Sequence, residues 1–119
     1  MKSLAKLMTL LGFPPVAGVV LAVLLTSRKP LSLTELSRKT GYAKSHLSQT
    51  LKLLHARDIV DFYVERKKKY FIVNNQGLLK ALREHIHVLI DSLNQLANIT
   101  DNPEFRRLYS EAFGDVEGE

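Results

Sequence analysis

The 119-residue chain contains no cysteine. That excludes a disulfide framework, a thiolate metal site and a cysteine nucleophile, and with them the small secreted scaffolds and the zinc fingers. An intracellular, cytoplasmic setting is the expectation that follows. Glycine and proline are sparse, at 6 and 4 residues, while apolar residues make up 45% and charged ones 24% of the chain. Neither a collagen-like nor a disordered chain has these proportions. The sequence also lacks a phosphate-cradling glycine loop, a nucleophile elbow and a pair of histidines spaced around a glutamate. Ser45 and His46 are neighbours in sequence, which is not a nucleophile–base geometry. Neither catalysis nor a cofactor is expected.

Charge is unevenly spread. Residues 1–73 hold 13 Lys and Arg against 4 Asp and Glu, whereas residues 74–119 hold 4 against 8. A positive field raises both affinity and encounter rate for phosphates, so a basic segment followed by an acidic one suggests a polyanion-binding module joined to something else. The expected division is a first domain over residues 1–74 and a C-terminal helical arm with an acidic tail over 75–119.

Leu7 to Leu25 is free of charge, which could mark a membrane span or an export signal. Gly12, Pro14 and Pro15 interrupt it, and no small-residue cleavage site precedes Lys29. Two core helices are the better reading. The first is expected to be capped by Ser3 and to carry Leu4, Leu7, Met8 and Leu11; the second is opened by Pro14-Pro15 and runs to about Ser27. No membrane partner is expected.

Residues 32–60 carry the strongest local signal. Ser32 and Glu35 have capping-box spacing, and Thr40-Gly41 supplies a stop at which glycine can turn left-handed. A second helix is predicted from Lys44 to Arg57, with Leu47, Leu51 and Leu54 as its buried stripe. At 100° per residue the opposite face carries Ser45, Gln49 and Lys52, flanked by His46 and Ser48. None of these is acidic. Gln can pair with adenine, Ser with several base edges, and Lys with guanine or phosphate, so the face has the chemistry of a major-groove reader. A plain solvated helix face has a similar composition. The following segment favours nucleic acid: two β-rich stretches, Ile59–Val64 and Lys69–Val73, flank a tip at Glu65–Lys68, and cations run unbroken from Arg66 to Lys69. A tip of one sign is suited to clamping phosphates.

The segments GFPPVAGVVLAVLLTSRKPLSLTELSRKTGYAKSHLSQTLKLL and IVDFYVERKKKYFIV together resemble the winged-helix transcription regulators of the MarR/GbsR-like group, and more loosely the ArsR-like group. The resemblance covers about half the chain. It implies a mainly α fold with a small β-hairpin, in which the helix from Lys44 is the recognition helix and the hairpin is the wing. Lys44, Ser45, His46, Ser48, Gln49 and Lys52 then match base- or phosphate-contacting places, and Arg66, Lys67 and Lys68 match the wing tip. The implied partner is double-stranded DNA, with a small-molecule effector possible. Two departures stand out: Ala43 occupies the usual Ser or Thr cap, and Asp58 the place of a closing glycine. An architectural DNA-coating protein, or a protein-interaction adaptor on the same fold, are the alternative uses.

In the last third, Leu79, Leu82, Ile86, Leu89, Leu93 and Leu96 recur three and four residues apart. Such a seam packs against this chain's own N-terminal helices or against a second copy. The resemblance favours a homodimer, with these six residues as the dimerisation seam. Glu84, His87 and Asp91 share a helix face, but a polar outer face explains them as well as a metal does, and no metal is assigned. Asn102-Pro103-Glu104 marks a further helix start leading to Gly114, and the acidic tail 115–119 is expected to keep the end solvated.

Overall fold

A computed structural model describes residues 2–99 and 101–114, so the acidic tail 115–119 lies outside the described residues. The elements are α1 (Lys2–Leu10), α2 (Val16–Thr26), β1 (Leu31–Ser32), α3 (Leu33–Thr40), α4 (Lys44–Ala56), β2 (Val60–Glu65), β3 (Lys68–Val73), α5 (Asn75–Ile99) and α6 (Pro103–Phe113). The three strands form an antiparallel sheet in the order β1-β3-β2. The fold is a winged helix: mainly helical, with a helix-turn-helix followed by a hairpin.

The uncharged N-terminal run does divide in two. α1 begins at Lys2 rather than after a cap at Ser3. Gly12, at φ 94°, turns the chain, and Pro15 stands just before α2. α2 is buried nearly all round, through Val16, Ala17, Val20, Leu21 and Leu24 among others. Among the described residues no helix is long and apolar enough to cross a membrane. α1 lies so close that a Cβ on Gly18 would come within 2.4 Å of the Ala5 backbone.

Both hydrogen bonds of the capping box are present. The Glu35 N–H donates to Ser32 Oγ at 3.2 Å, and the Ser32 N–H donates to Glu35 Oε1 at 2.9 Å. Gly41 closes α3 at φ 81°, and Asp58 takes φ 61° just beyond α4, the left-handed turn that a glycine often supplies. Strand β1, only two residues long, has no signal in the local sequence. It is recruited by pairing Leu31 with Phe71 and Ser32 with Tyr70, which no local pattern encodes.

α5 starts at Asn75 because Asn74 caps it: the Gly77 N–H donates to Asn74 Oδ1 at 2.9 Å. The Asn74 amide also donates to the Asp61 carboxylate at 3.1 Å, fastening the helix start to β2. A Cβ on Gly77 would lie 1.7 Å from the Asp58 carbonyl oxygen, so only glycine allows this approach.

The chain divides into two compact units, Met1–Leu82 and Arg83–Glu119. The expected boundary at residue 74 falls at the start of α5, but the first unit continues to Leu82 because Leu78 and Ala81 join its core and Leu82 packs against it. In the second unit Asn102 caps α6 by accepting from the Glu104 and Phe105 N–H groups, with Pro103 opening the helix. There the Tyr109 hydroxyl donates to Asn94 Oδ1 at 2.9 Å.

The bond that the Ser32 N–H donates, together with Lys29 at 3.7 Å, holds the Glu35 carboxyl below the usual carboxylate range, the backbone bond being the larger cause. A carboxylate with a depressed folded-state pKa contributes stability above its unfolded pKa and loses it as pH falls through the folded value. Glu35→Gln should therefore melt below the parent at neutral pH, with the gap closing in acid, below the usual carboxylate range. Thermal melts at neutral and at acid pH check this.

Candidate nucleic-acid interface

The orientation of α4 is decided by its buried side. Leu47, Thr50, Leu51 and Leu54 are buried, where α4 packs against α2, α3 and β2. Burying each leucine contributes about 1.5–3 kcal/mol, far more than the exposed polar side chains can offer for any other rotation. Lys44, Ser45, His46, Gln49 and Lys52 are consequently exposed, and Ser48 is half-buried. The His46 ring meets Tyr42 edge-on at 5.4 Å. Ala43 is extended and supplies no side-chain cap, and the first turn contains no acidic residue, so nothing on the helix itself repels a phosphate from this end.

The hairpin is stiffened by cross-strand aromatic pairs, Phe62 with Phe71 at 5.9 Å and Tyr63 with Tyr70 at 5.5 Å, on opposite faces of the sheet. His55 ties α4 to the hairpin, its ring lying 4.9 Å from that of Phe62. The strands pair as far as Glu65 with Lys68, so these two residues are strand ends and the turn itself is Arg66-Lys67. Both turn residues have positive φ, 51° and 67°. A two-residue hairpin turn of this kind favours Asn-Gly, and each side-chain-bearing residue forced into the left-handed region costs about 1–2 kcal/mol. Two cations are held there against local preference.

α4 and the tip face a common groove of about 480 Å³. Ser48, Lys52 and His55 line it from α4, and Lys67, Lys68 and Lys69 from the hairpin. Thr34 of α3 also contributes, and the floor is apolar, including Leu51, Phe62 and Phe71. No Asp or Glu lines it. Lys44, Ser45, His46, Gln49 and Arg66 do not line this groove; they are exposed on the N-terminal part of α4 and at the turn. Lys69, the last of the cation run, lines the groove from β3, whereas Thr34 and His55 reach it only through tertiary packing, which no local pattern marks.

The six seam residues on α5 divide. Leu82 is half-buried against the first unit's core and Leu93 is half-buried, whereas Leu79, Ile86, Leu89 and Leu96 are exposed, the first at 62% and the last at 46%. Among the described residues no group of three or more His, Cys, Asp or Glu side chains could hold a metal ion.

Comparison with known proteins adds to this geometry. Residues 16–62 match the IclR helix-turn-helix domain model. The chain is 35% identical over 81 residues to the putative HTH-type transcriptional regulator YvaV of Bacillus subtilis (strain 168), covering 68% of this chain and 40% of that protein. It thus spans about two-fifths of the length of this curated relative. Among solved structures, a possible transcriptional regulator from Methanosarcina mazei Go1 superposes with a TM-score of 0.69 at 15% identity, covering 81% of this chain and 86% of the other. A MarR-family transcriptional regulator from Silicibacter pomeroyi superposes with a TM-score of 0.57 at 23% identity, covering 92% and 73%. The chain therefore has the winged-helix fold found in transcription-regulator structures, and within it residues 16–62 form a helix-turn-helix domain similar to the IclR type.

Proposed function

We propose that this chain is a transcription regulator of the MarR/GbsR-like winged-helix group that binds double-stranded DNA sequence-specifically as a homodimer, and that it is not an enzyme. The observation that carries this reading is the shared groove: an acid-free face of α4 and a cationic hairpin tip open on the same side of one domain. α4 enters the major groove, where Ser45, His46, Ser48, Gln49 and Lys52 meet base edges and Lys44 meets phosphate. Arg66, Lys67 and Lys68 lie along the adjoining backbone. The left-handed turn supports this assignment, since cations sit where Asn-Gly would be more stable.

Dimerisation through α5 is part of the same reading. Leu79, Ile86, Leu89 and Leu96 are large, exposed and regularly spaced, and side chains of this kind gain about 1.5–3 kcal/mol each on full burial. A second copy supplies that burial and a second recognition helix, matching the two-fold symmetry of paired half-sites.

Four sets of substitutions test the proposal. Gln49→Ala should cut the preference for selected over random DNA about tenfold, while replacing Lys67 and Lys68 by Ala weakens both equally and lowers the salt slope by about 2. Fragment selection from genomic DNA, followed by titrations at two salt concentrations, measures both; an unchanged preference removes Gln49 from the reading set. Substituting Arg66→Asn with Lys67→Gly should stabilise the hairpin by about 1 kcal/mol while weakening DNA binding, seen as a higher melting temperature with a lower affinity. Leu89→Lys should shift the mass found by light scattering to that of a monomer, and a persistent dimer would place the interface elsewhere.

A further inference from the structure

The groove between α4 and the hairpin has a composition that a DNA backbone does not use in full. Its rim carries Lys52, Lys67, Lys68 and Lys69, and among the described residues none of the four forms an ion pair. Lys69 instead places its ammonium 4.5 Å from the centre of the Phe62 ring. The floor beneath is apolar, and His55 presents an exposed imidazole at its edge, braced against Phe62. A duplex offers phosphates to the lysines but only sugars to the floor. A volume of about 480 Å³ lies within the range of small-molecule sites.

Charge and shape together select the ligand. One ring with a single carboxylate leaves most of the lysines uncompensated, whereas a chain of phosphates sets an oxyanion against each in turn. A flat heterocycle then covers the floor and stacks on the His55 imidazole, as bases stack on ring side chains in single-strand sites. We propose that this groove binds a nucleoside di- or triphosphate, and that the bound nucleotide displaces DNA. The displacement rests on the regulator reading given above, because Lys52, Lys67 and Lys68 would serve both ligands; the binding itself does not.

The test is calorimetric titration of the full chain, without DNA or divalent metal, with ATP, inorganic triphosphate and adenosine at one ionic strength. ATP is expected to bind about tenfold more tightly than triphosphate, the increment that stacking supplies, with adenosine weaker than both. His55→Ala should bring ATP down to the level of triphosphate. In a separate arm, ATP should release a random-sequence duplex bound at low salt. Equal affinities for ATP and triphosphate in the parent protein overturn the proposal, since lysine charge alone would then account for binding. So does a chain that binds the duplex but not ATP, an outcome that leaves DNA binding intact. A chain that binds ATP in this way and no duplex supports the nucleotide site and overturns the regulator reading instead.

Discussion

The interface depends on the seating of α4. Its apolar stripe is held in the first unit's core by Leu47, Leu51 and Leu54, so the helix has only one low-energy rotation about its axis. A polar residue turned inward would lose its water without gaining a partner, and a leucine turned outward would forfeit its burial. Everything the outer face can do follows from that choice. The capped start of α3 and the left-handed turn at Gly41 then set where α4 begins, and His55 against Phe62 sets where the hairpin stands relative to its far end.

Within the hairpin, stability and charge pull in different directions. The aromatic pairs along β2 and β3 make a stiff base, while the turn they support is composed of residues poorly suited to its backbone. A rigid base is what makes such a turn tolerable, because the ladder on either side leaves Arg66 and Lys67 no other geometry that keeps the strands in register. The groove behind the tip has the same character, with four lysines brought together and no carboxylate among its lining residues.

α5 serves two purposes along one continuous helix. Its first turns belong to the winged-helix core, where Gly77 permits the close approach to Asp58 and Leu78 and Ala81 are buried. Beyond Leu82 the same helix leaves Ile86, Leu89 and Leu96 exposed and pairs with α6 through Tyr109 and Asn94. A single heptad pattern thus spans two environments.

Much of the fold was legible locally. The capping box at Ser32 and Glu35, the glycine stop, the leucine stripe of α4, the hairpin and the Asn102-Pro103 helix start all arise from interactions within a few residues, which is why sequence alone determined them. Strand β1, the Asn74 cap fastened to Asp61, the division of the α5 seam and the meeting of Lys52, His55 and Lys69 around one groove were decided only by tertiary structure. Each joins residues distant in the chain, and periodicity records which face of an element is apolar but not what that face will meet.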